Sequence, residues 1–101
     1  MKTDSYLLAK PVPEEYLIGR LNGNIDLSKR KVFSNKEGEI FVSYHTPTKW
    51  LYLTLKLRGE APVIALSISG DEEKDTKELA SKIRNIEGVV LMEVESVGVT
   101  R

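Results

Sequence analysis

The stretch Trp50-Leu51-Tyr52-Leu53-Thr54-Leu55-Lys56-Leu57-Arg58 alternates without a break. Leu51, Leu53, Leu55 and Leu57 fall on one side, and Trp50, Tyr52, Thr54, Lys56 and Arg58 on the other. A helix would scatter these leucines around its circumference. A period of two demands a β-strand lying between two environments. The leucine side belongs to a core. The other side, with its rings and cations, has the make-up of a binding surface.

Turn signals flank this strand and predict its neighbours. A strand near Lys29–Ser34, a turn at Asn35-Lys36-Glu37-Gly38 and a strand Glu39–Tyr44 come before it, and a strand Val63–Ser69 follows. Short connections of this kind imply an antiparallel meander. A four-residue turn at 59–62 pairs Leu57 with Ile64, Leu55 with Leu66 and Leu53 with Ile68. A four-residue turn at 45–48 pairs Val42 with Leu51 and Ile40 with Leu53. Both turns put the aliphatic stripe on one side, which a one-residue slip would destroy. The second face then holds Phe41, Ser43, Trp50, Tyr52, Thr54, Lys56, Arg58, Val63, Ala65, Ser67 and Ser69, with Glu39 at its margin.

One helix is predicted over Asp71–Glu87. Ser69 or Asp71 would cap it, and acidic residues in its first turn oppose the dipole. Thr76, Leu79, Ala80, Ile83 and Ile86 form its apolar stripe, and Gly88 stops it. A last strand, Val89–Val97, would run parallel to the one before the helix if they share a sheet. At the other end, Pro11 and Pro13 argue for a loosely ordered arm over residues 1–13. Residues 14–24 fit either a short helix after Pro13 or a hairpin around Asn22-Gly23, and the hairpin is favoured. The expectation is a single α+β domain over residues 1–101. Its mainly antiparallel, five- or six-stranded sheet carries one C-terminal helix on the leucine face, with a strand after the helix.

Composition narrows the chemistry. The 101 residues contain no cysteine, which excludes disulfides, zinc–thiolate sites and thiol catalysis. Glutamine is absent while Lys and Glu abound, a thermophile-like bias. No signal peptide or membrane-spanning run is visible, so the cytoplasm is the expected location. Net charge is zero but unevenly placed. Residues 27–58 hold seven cations (Lys29, Arg30, Lys31, Lys36, Lys49, Lys56 and Arg58) against Glu37 and Glu39, together with five of the seven aromatic residues. Residues 59–101 hold five basic and nine acidic side chains.

The candidate binding residues are therefore Trp50, Tyr52, Lys56, Arg58, Phe41, Lys29, Arg30 and Lys31. Flat rings in a cationic surface stack nucleobases while lysine and arginine neutralise phosphates. Tyr, Trp and Arg are also typical anchors of protein interfaces, most simply in a homodimer. Gly38, Phe41, Val42 and Tyr44 fall on a strand pattern found in the RNA-recognition motif. Glu37, Glu39 and Ile40 break that pattern, and it assigns no family. His45, the sole histidine, reads as a solvated or locally hydrogen-bonded turn residue. No catalytic motif, metal site or cofactor is expected. The function expected is that of a non-enzymatic binder of nucleic acid, or alternatively of a protein partner through the same face.

Overall fold

A computed structural model of the chain describes residues 1–47, 50–59 and 61–94. Six strands form one sheet: β1 (Lys2–Val12), β2 (Asp26–Ser34), β3 (Ile40–His45), β4 (Leu51–Leu57), β5 (Val63–Gly70) and β6 (Leu91–Glu93). Helix α1 (Glu14–Arg20) follows β1, and α2 (Glu73–Arg84) joins β5 to β6. The strand order is β2-β3-β4-β5-β1-β6, and every neighbouring pair is antiparallel. Because β1 lies between them, β5 and β6 run parallel, as the strand–helix–strand ending requires. The fold is α+β, as expected.

The leucine stripe of β4 is the centre of the core. Leu53 and Leu55 are fully buried, packed with Val42, Leu66, Ile68, Leu17 and Ile83. The expected pairs Leu53–Ile68 and Leu55–Leu66 are present. Past Lys56 a bulge intervenes, so Leu57 faces Val63 and not Ile64. Val63 is thereby turned into the core and off the second face where the unbroken alternation placed it. The β3–β4 pairing differs more: Val42 faces Leu55 and Ile40 faces Leu57. That is a displacement of four residues from the expected register. An even displacement keeps every side chain on its face, so the two faces survive although the partners change.

The N-terminal segment corrects two expectations. Residues 2–12 are not a loose arm but an interior strand between β5 and β6. Its alternation is masked because Asp4 points inward with Tyr6 and Leu8. There it accepts a hydrogen bond from the Thr76 hydroxyl at 2.8 Å and an ion pair from Lys77 at 3.4 Å. Pro11 lies where the β1–β5 register breaks between Leu7 and Val12. Residues 14–24 contain a helix and not a hairpin. Leu17, Ile18 and Leu21, spaced as one helical face, are buried, and this outweighs the Asn22-Gly23 signal. That dipeptide instead turns the chain after the helix, with Gly23 at a φ of 89° that favours glycine.

The sheet therefore carries two helices, where a single one was expected, and both lie on the leucine face. Helix α2 starts two residues later than predicted and ends three earlier, with its stripe Thr76, Leu79, Ala80 and Ile83 buried. Ser69 does not cap it; it is the penultimate residue of β5 and bonds the Thr3 hydroxyl at 2.9 Å. The last strand begins at Leu91, and its predicted continuation to Val97 lies outside the described residues beyond Val94. Among the described residues, no helix is long and apolar enough to cross a membrane.

Candidate nucleic-acid interface

Nothing among the described elements covers the second face, and the register orders its side chains into three rows. His45, Tyr52, Ser69 and Thr3 make the first. Lys31, Ser43, Thr54, Ser67 and Ser5 make the second, a line of hydroxyls ending in a lysine. The third holds Phe33, Phe41, Lys56, Ala65, Leu7 and Met92. Successive rows are about 7 Å apart, two residues along each strand.

Rings gather at one corner. His45 ends β3 opposite Tyr52, and alternation puts Trp50, the residue before β4, on the same side. The backbone N–H of Thr46 donates to the Leu51 carbonyl at 3.1 Å and closes the hairpin beneath them. The three rings meet edge to face: His45–Tyr52 at 4.6 Å, Trp50–Tyr52 at 5.5 Å and His45–Trp50 at 5.7 Å between centroids. Trp50 nevertheless stays 55% exposed. His45 Nδ1 lies 2.7 Å from the Thr46 carbonyl, so Nδ1 carries a proton and donates. The histidine is locally hydrogen-bonded, as expected. Its place in the ring cluster is not legible in the sequence, because it depends on the β3–β4 register.

The predicted cations separate into different environments. Lys29 and Lys31 are exposed and border the ring corner, where with Ser43, Tyr44, His45 and Tyr52 they line a notch of about 120 Å³. Arg30, between them, faces the opposite way. Its Nε and Nη2 clamp the Glu14 carboxylate at 3.0 and 3.1 Å, and Nε also reaches the Tyr44 hydroxyl at 3.0 Å. Tyr44 donates to the same carboxylate. Burial works against the Glu14 charge, but the bonds from Arg30 and Tyr44 outweigh it and hold its carboxyl below the usual range. Burial, with the bond to Glu14, pushes the Tyr44 hydroxyl up to about 12. Arg30 thus fastens α1 to the sheet and is no part of the open face.

Lys56 is on the face but neutralised. Its Nζ lies 2.6 Å from Glu39 Oε2, and Asn35 Nδ2 donates to the other Glu39 oxygen at 2.7 Å. Lys56 and Asn35 hold that carboxyl below its ordinary value. Arg58 is exposed in the turn beyond β4, where its N–H bonds the Pro62 carbonyl at 2.8 Å. Eight residues of extended chain put it about 26 Å from Trp50. Phe41 stacks on Phe33 at 5.5 Å with an interplanar angle of 16°, a ring pair of which the sequence pattern singles out only Phe41. A shallow hollow of about 180 Å³ lies beside it, lined chiefly by Leu7, Phe41, Thr54, Ala65 and Val94. The eight candidates therefore do not form one cluster. Tyr52, Lys29 and Lys31 line one notch, Trp50 joins it through its contacts with Tyr52 and His45, Phe41 and Lys56 occupy the third row, and Arg30 and Arg58 stand elsewhere.

Among the described residues, no group of three or more His, Asp or Glu side chains is placed to hold a metal ion. Comparison with protein-family models, curated proteins and solved structures finds no match to this chain.

Proposed function

We propose that the protein is a non-enzymatic binder of single-stranded nucleic acid that works through the open face of its sheet in the cytoplasm. The observation that carries this reading is the half-exposed Trp50 ring, held by Tyr52 and His45, which themselves line a notch with Lys29 and Lys31. A base stacked on Trp50 gains dispersion energy whatever its identity, while the lysines neutralise phosphate and release counterions. The hydroxyl row of Ser43, Thr54, Ser67 and Ser5 supplies donors and acceptors along the path of a strand crossing the face.

The test is to titrate the sole tryptophan with an oligonucleotide, following its fluorescence and the molar mass together. A monomer whose Trp50 emission is quenched, with affinity falling steeply as salt rises, is the expected result. A dimer with blue-shifted emission that no oligonucleotide alters would overturn it. That second outcome belongs to a competing reading, favoured by the exposed apolar side chains of the third row and its margin. Leu7, Phe33, Met92 and Val94 are all about half exposed, and such a band suits a symmetric protein interface.

A further inference from the structure

We infer that the notch at the ring corner is a subsite for a phosphomonoester, so that the protein engages the phosphorylated end of a nucleic-acid strand. The inference rests on the nucleic-acid reading and narrows it. The notch, of about 120 Å³, opens to solvent between its lining side chains. That space admits one tetrahedral anion. Lys29 and Lys31 border it, together with Ser43, Tyr52 and His45. Lysine ammonium groups and hydroxyls are donors that a phosphate oxygen accepts from, whereas the His45 Nδ1 proton is already given to the Thr46 carbonyl. Asp26, opposite His45 in the register, is the one carboxylate near this corner on β2. Its Oδ1 accepts from the N–H and the hydroxyl of Ser28 at 3.0 and 2.6 Å, which keeps it charged, so two lysine charges stand against one carboxylate charge.

Position distinguishes an end from an internal phosphate. The notch sits between the edge strand β2 and the Trp50 end of β3 and β4, at a corner of the sheet. A strand leaving it has the open face on one side only, with Trp50 and Tyr52 as the first platform for a base. A terminal phosphate also carries about −1.5 to −2 charges at neutral pH, more than the single charge of an internal diester, and so is held more strongly by the paired lysines.

The experiment compares one oligouridylate hexamer bearing a 5′-phosphate, a 3′-phosphate or hydroxyls at both ends, read by Trp50 quenching at fixed salt. One phosphorylated form should bind about tenfold tighter than the unphosphorylated strand, the effect of one added charge-assisted hydrogen bond. Lys29→Glu or Lys31→Glu should erase that advantage, and Arg58→Glu, at the far end of β4, should leave it intact. Both lysines are exposed, and circular dichroism of each variant checks that it folds. Equal binding of all three hexamers, or an advantage that survives both lysine reversals, overturns the phosphate subsite while the nucleic-acid reading stands. Binding of uridine monophosphate as tight as that of the phosphorylated hexamer overturns the assignment to a strand end. Failure of every hexamer to bind overturns the nucleic-acid reading itself, and the subsite with it.

Discussion

The two faces of this sheet are built from alternate residues of the same strands, yet they obey different physics. On β4 the inward residues Leu51, Leu53, Leu55 and Leu57 are buried, whereas the outward residues Tyr52, Thr54 and Lys56 are partly open to solvent. On β2 the contrast is sharper still. Arg30 is clamped to Glu14 and Tyr44, and its immediate neighbours Lys29 and Lys31 border the ring corner. The covered face has a partner for every polar group it takes in, and no buried side-chain nitrogen or oxygen among the described residues lacks one. The open face leaves rings and cations available. One face holds the fold together, and the other can be spared for contact.

Substitutions of neighbouring residues test this division. Leu53→Ala should cost about 2–5 kcal/mol in urea unfolding, because a fully buried leucine leaves a cavity, whereas Thr54→Ala should stay within about 0.5 kcal/mol. Similar losses from the two would break the distinction. Gly70→Ala should cost about 1–3 kcal/mol by overpacking. An added methyl there would stand 2.5 Å from Leu51 Cδ1 and 3.2 Å from the Trp50 carbonyl oxygen. A thermal melt unchanged by this variant would show that the seam between β4 and β5 yields easily.

Trp50→Ala inverts the pattern. It should weaken oligonucleotide binding by about 1–3 kcal/mol, the value of one stacked base, with stability nearly unchanged. Tyr44→Phe, on the covered side, should cost about 1–2 kcal/mol of stability and leave binding alone. Because the Glu14 carboxyl is held below its unfolded value, its contribution is complete above the ordinary carboxylate range and is lost as pH falls through the lowered native value. Glu14→Gln should flatten the acid limb of a stability–pH curve, and an unaltered limb would sink the assignment. The smallest effect is expected from Arg58→Ala, within about 0.5 kcal/mol for both folding and binding. A binding loss as large as that of Trp50→Ala would move the site away from the ring corner.

How much is legible in the sequence depends on where each interaction partner lies. The β4 alternation is local and unbroken, so the two faces and the core can be read directly. Parity is blind to even displacements, which is why the β3–β4 pairing lies four residues from the expected one and His45 does not emerge beside Tyr52 and Trp50. The β1 strand is hidden by Asp4, a carboxylate turned inward toward Thr76 and Lys77 more than seventy residues away. Alternation along the run Lys29-Arg30-Lys31 sets the middle cation apart from its neighbours but does not show what it meets. Their fates are decided by Glu14 and Tyr44, which reach only the middle one. Hydrogen bonding between distant residues is what single-sequence patterns do not carry.

The exposed edge of β2 has one more consequence, for how the molecule behaves in a crowd of its own kind. Leu27, Val32 and Phe33 stand half open on a nine-residue strand whose outer edge no described strand pairs. Such an edge is a template for adding further chains, strand upon strand. Lys29 and Lys31 at its middle, exposed and on the same side, make two copies repel as they approach in register. Exposed lysines on an edge strand are one general means of blunting such assembly. Neutralising them would remove that repulsion, while reversing their sign keeps the edge charged.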